Sequence, residues 1–140
     1  MITIDDAVIL ATKALKGHYD LEGLPAILHS LRVMLAGDNE DEMIVGVLHD
    51  VVEDTDLGFE DLKKAGCSDE YIDALRLLTH NKEVQYFDYV ERIVLSGNKL
   101  AVNVKRHDLE DNLKRGRKYK HWEIVEKHEK AFSLILRAVK

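Results

Sequence analysis

The segment Met43 to Thr55, MIVGVLHDVVEDT, gathers an imidazole and three carboxylates into six residues: His49, Asp50, Glu53 and Asp54. At about 100° per residue in a helix, Met43, Ile44, Val47, Leu48, Val51 and Val52 share one half of the wheel and the four polar residues share the other. His49 and Glu53 are four apart, as are Asp50 and Asp54, so the quartet is compact. Read alone, this is equally the wet side of an amphipathic helix. Three carboxylates so close repel one another, however, unless something positive sits among them, and a metal ion would serve. Gly46 lies on the same polar face one turn earlier, where a missing side chain lets another helix or a ligand approach. His29 and Asp108 are the candidates to complete such a site. Asp108 follows Ala101 and Val104 and precedes Asn112 on one stripe, so an apolar stripe turns polar there. Taken singly, His29 also reads as a core histidine and Asp108 as a surface carboxylate beside Lys105.

Helices must position these residues. Thr3 with Asp6 three residues later resembles a helix-start box, and Ile4, Val8, Ala11 and Leu15 carry helical spacing up to Gly17. Pro25 suits the first turn of a second helix that stops at Gly37. Asp38 or Asn39 can cap a third running unbroken to about Thr55, and a short fourth spans about Phe59 to Ala65. Ser68 caps a fifth to about Leu78. Val84 to Ser96 and Asn98 to Leu113 are predicted as two more, broken at Gly97, and His121 to Ala138 as the last. Arg115 to Lys120 is the most loop-like stretch, and no segment reads as a strand.

The chain has 140 residues, room for one domain spanning 1–140 with a substantial core. Eight glycines and one proline leave too little turn chemistry for a many-stranded sandwich or barrel, so the class is all-α, a compact helical bundle. No apolar run approaches the roughly 20 residues of a membrane span. The single Cys67 cannot pair within the chain, and Asp5 and Asp6 stand where a secretory leader needs basic residues, so a cytoplasmic protein is expected. A formal charge of −6 has the wrong sign for a nucleic-acid coat. Between Lys105 and Lys120, seven basic residues face three acidic ones, either a solvated helix end or a local anion site.

Three elements in order resemble the HD-domain metal-dependent phosphohydrolases, and in particular the hydrolase domain of the RelA/SpoT-type enzymes that degrade guanosine tetraphosphate. They are Gly23, Pro25, Ile27 and His29; then His49, Asp50, Glu53, Asp54 and Thr55; then Val104, Lys105, Asp108 and Asn112. The resemblance covers nearly the whole chain. It implies that His29, His49, Asp50 and Asp108 ligate one divalent cation, with Glu53 and Asp54 acting on the attacking water. Two imidazoles and two carboxylates suit Mn²⁺ first, with Fe²⁺, Co²⁺ and Zn²⁺ as alternatives. Leu78 to Lys82 is similar to a family stretch in which the lysine faces phosphates, which makes Lys82 the first substrate-binding candidate and Asn112 the second. Where the family carries a basic segment, this chain has Tyr19, Asp20, Leu21 and Glu22, and His107 stands beside Asp108 as an additional candidate for metal or phosphate. The implied activity is hydrolysis of a pyrophosphate or phosphate ester of a small-molecule nucleotide resembling guanosine 3′,5′-bis(diphosphate). The alternative is a non-catalytic, metal-containing nucleotide sensor. No nucleic-acid or membrane partner is expected, and the sequence carries no signal for oligomeric state.

Overall fold

Helix-start chemistry recurs down the chain. The computed structural model describes residues 1–139, which form α1 (Ile4–Leu15), α2 (Ile27–Ala36), α3 (Glu40–Leu48), α4 (Val51–Asp54), α5 (Phe59–Lys64), α6 (Asp69–Leu78), α7 (Tyr86–Leu95), α8 (Lys99–Lys118) and α9 (Trp122–Ala138). The Thr3 hydroxyl accepts the Asp6 N–H, Asn39 Oδ1 that of Glu42, Ser68 Oγ that of Tyr71 and Asn98 Oδ1 that of Ala101. Each satisfies a backbone donor that the first helical turn otherwise leaves open. No strand occurs among the described residues, only an isolated bridge between Tyr19 and Pro25. None of the described helices is long and apolar enough to cross a membrane.

One core holds the elements together, and α3 runs through it. Ile44, Val45, Gly46, Val47, Leu48 and His49 are all buried, with α1, α2, α6 and α8 packed around them. The predicted wet face is divided: Gly46 and His49 are buried, Asp50 is half-buried, and Glu53 and Asp54 are exposed. α2 covers Gly46, where a Cβ would stand 3.3 Å from the Met34 backbone nitrogen and from Val33 Cγ1. The missing side chain thus serves helix packing.

The expectations that fail do so for local physical reasons. The third helix does not run unbroken to Thr55, because the chain turns at His49 and Asp50 between α3 and α4. The His49 N–H bonds back to Gly46 O, three residues away, and Asp50 sits at φ −98°, ψ −3°. Pro25 does not open α2; it belongs to the bridge with Tyr19, and the helix begins at Ile27. The loop expected at Arg115 is helix to Lys118, since Arg115 bonds Asp111 one turn back and Gly116 fits closely against Val125.

Gly46→Ala forces an inserted methyl against the α2 backbone. It is expected to cost about 1–3 kcal/mol, read as a lower denaturation midpoint at unchanged slope.

Candidate metal centre

The turn between α3 and α4 sets the geometry of the site. In a continuous helix, neighbouring side chains diverge by about 100°; the turn lets His49 and Asp50 both face one cavity, with Glu53 and Asp54 on the short helix beyond. α2 brings in His29 and α8 brings in Asp108. All six line a cavity of about 350 Å³, within the range of small-molecule sites.

Asp108 is the hub. Its Oδ1 lies 2.8 Å from His29 Nε2, 3.4 Å from His49 Nε2 and 3.1 Å from Asn112 Nδ2, which donates to it; its Oδ2 accepts from the Lys105 ammonium at 2.9 Å. Asp50 Oδ2 stands 3.3 Å from His49 Nε2 and 3.8 Å from His29 Nε2. Neighbouring ligands about 2.1 Å from a hard cation in octahedral geometry stand about 3 Å apart, so these spacings fit a common ion. His29, His49 and Asp50 offer ligand atoms that all lie within 4.8 Å of one another. The supporting contacts fit too. His49 Nδ1–H donates to Gly46 O at 2.6 Å, and its Nε2, buried with no hydrogen-bond partner, faces the cluster. His29 Nδ1–H bonds Asp111 Oδ2 at 2.6 Å, which fixes its ring with Nε2 toward Asp108.

Without a cation, protons supply the positive charge. Burial works against the His49 imidazolium, but the Asp50 and Asp108 carboxylates outweigh it and lift this histidine to about 10. His29 is likewise raised against the pull of burial, through Asp108 and Asp111. Burial of Asp108 opposes its charge, yet Lys105 and the histidines hold its carboxyl well below the usual range. Partial burial raises Glu53 although its Oε1 accepts the His80 N–H at 2.7 Å. Partial burial, then the Asp50 and Glu53 charges, push Asp54 up to about 6.

The predicted substrate contacts divide. Asn112 lines the cavity. Lys82 is exposed and outside that lining, because Asn81 accepts the Glu83 and Val84 N–H groups in a turn that leaves His80 at the cavity edge instead. His107 is also outside: one residue from Asp108 on α8, it bonds Glu42 at 2.8 Å. The basic stretch from Lys105 to Lys120 forms no single anion patch, since α8 spreads it around its circumference. Lys105 meets Asp108, Arg106 meets Asp38 and Glu110, and Arg117 meets Glu129. Sequence reasoning missed Asp111, Arg115, Lys127 and His128. Only Asp111 and Arg115 left a trace, their four-residue spacing matching an ion pair on one helix face.

No family model matches the chain. Among solved structures, it superposes on one described as a metazoan ortholog of SpoT that hydrolyzes ppGpp and plays a role in starvation responses. The TM-score is 0.67 over 96% of this chain and 93% of the other, at 21% identity. The chain shares the fold of that structure, and the all-α class expected from the sequence is the class of both.

Proton and cation compete for the same nitrogens, which fixes the sign of the pH response. With His49 near 10 in the folded state and about 6.5 unfolded, the cation-free protein keeps this stabilisation fully below about 6.5 and loses it as pH rises through about 10. Added Mn²⁺ should therefore raise the melting temperature more at pH 8 than at pH 6. Thermal scans at both pH values, with and without the ion, test this; an equal gain at both would contradict the proposed competition.

Proposed function

We propose that this protein is a metal-dependent phosphohydrolase that releases pyrophosphate or phosphate from a nucleotide, with a guanosine 3′,5′-bis(diphosphate)-like compound as substrate. The observation that carries the reading is the convergence of two imidazole nitrogens and two carboxylates beside two further carboxyl groups of raised proton affinity. The likeness to a ppGpp hydrolase supports it at the level of fold.

His29, His49, Asp50 and Asp108 would hold the cation, Mn²⁺ by the borderline-to-hard character of the set, with Fe²⁺, Co²⁺ or Zn²⁺ as substitutes. When bound, it would lower the pKa of water and offset charge developing on phosphorus. Glu53 would take the proton of the attacking water: its carboxyl is anchored at one oxygen by the His80 N–H and raised toward neutrality, the condition for a general base. Asp54, near 6, would orient the water or return a proton to the leaving group. Asn112, whose amide already donates to Asp108, would contact the substrate where α8 enters the cavity.

Purified protein supplied with Mn²⁺ should release phosphate or pyrophosphate from a nucleotide panel. Metal and nucleotide binding without turnover would instead indicate the non-catalytic sensor. Asp50→Asn removes a charged ligand and is expected to lower metal content, as read by elemental analysis. Glu53→Gln should retain the metal and lose activity by about 10²- to 10⁴-fold; loss of metal in that variant would make Glu53 a ligand instead.

A further inference from the structure

Besides the ligand cluster, the cavity is lined by Tyr86 and Tyr89 of α7 and by Lys127 and His128 of α9, and two of these side chains carry a polar atom without a hydrogen-bond partner. The Tyr86 hydroxyl and His128 Nδ1 are both shielded from solvent without a hydrogen-bond partner. A shielded polar group left unpaired is costly, so two on one wall point to something that satisfies them. Lys127 lies beside them, its Nζ 4.1 Å from the centre of the Tyr86 ring, and forms no ion pair among the described residues. The other cations lining the cavity are committed. Lys105 is buried against Asp108, and Arg115 is held by Asp111 at 3.0 Å with Asp20 and Glu22 each 3.7 Å away.

We propose that Lys127, with Tyr86 and His128, anchors a second phosphate group of the substrate, distinct from the one that would meet the metal ligands. An ammonium, a hydroxyl and an imidazole N–H supply only donors in this role, the complement of a phosphate oxygen set. Burial, reinforced by Lys105, Lys127 and Arg115, keeps His128 neutral by lowering it to about 4 against the attraction of Asp108, so a single ring proton is shared between its nitrogens and Nδ1 can carry it. Lys127 then takes the role that the sequence suggested for Lys82. This assignment rests on the phosphohydrolase reading of the metal cluster.

The test is calorimetric titration of the manganese-loaded Glu53→Gln protein with guanosine 3′,5′-bisphosphate and with guanosine 5′-monophosphate. Lys127→Met should weaken the bisphosphate by about tenfold or more, the loss of one charge-assisted contact, and leave the monophosphate within about twofold. Lys127→Arg should recover most of the loss, and the exposed Lys130→Met should change neither ligand. Tyr86→Phe and His128→Gln should each weaken the bisphosphate alone. Equal weakening of both ligands by Lys127→Met, an unchanged bisphosphate affinity, or a loss found in Lys82→Met instead would overturn the anchor. So would a protein that binds neither nucleotide. Selective loss in Lys127→Met, together with no hydrolysis by the unmutated protein, would uphold the anchor and refute the hydrolase reading.

Discussion

A carboxylate that is 6% exposed cannot remain charged without partners, and Asp108 is such a group. Its two oxygens are met by an imidazole from α2, another from the end of α3, and an ammonium and an amide from its own helix. This one charge therefore ties three helices together at the cavity floor. Each partner is oriented by something further out: His29 by Asp111, His49 by the Gly46 carbonyl, and Lys105 by the faces of Tyr86 and Tyr89. His29, His49 and Lys105 are thus each fixed from behind, as residues that are to receive an ion without rearranging need to be.

The same electrostatics makes the cluster a place that a cation would fit. Asp50, Glu53, Asp54 and Asp108 crowd one cavity, and the positive charge supplied by the chain does not cancel them locally. Lys105 is bound to Asp108, and Arg115 is surrounded by Asp20, Glu22 and Asp111. Neighbouring carboxylates raise the proton affinity of His49 against burial, whereas burial first and the adjacent carboxylates second raise that of Glu53 and Asp54.

α8 contains an instructive contrast. His107 and Asp108 are consecutive, so the helix turns them about 100° apart, one toward Glu42 and the other into the cavity. His107 and Glu42 satisfy each other, and the Glu42 carboxylate also accepts from Asn39, Asn103 and the Asp38 N–H. Nothing in that pair is left over, and it acts as a polar clamp between α3 and α8. On the cavity side, His49 Nε2, the Tyr86 hydroxyl and His128 Nδ1 are all left over. Both clusters contain a buried histidine and carboxylates, and only the unspent hydrogen-bonding capacity distinguishes a fastening from a binding site.

Much of this was legible in residue order. Capping residues and apolar spacing are local, so Thr3, Asn39, Ser68 and Asn98 mark their helix starts directly, and the Gly23 to His29, His49 to Thr55 and Val104 to Asn112 elements mark the cluster. Local order could not disclose that the helix stops at His49, because that turn depends on α2 packing over Gly46 and on Asp108 arriving from nearly sixty residues away. Nor could it reveal that Lys82 turns outward while Lys127 faces the cavity, since an isolated lysine carries no periodic signal. Sequence alone determined which chemistry is available and on which helices it rides, because propensity and spacing act within a few residues. Tertiary structure alone decided which charges are neutralised and which donors stay unspent, because those depend on distances between helices that are remote along the chain.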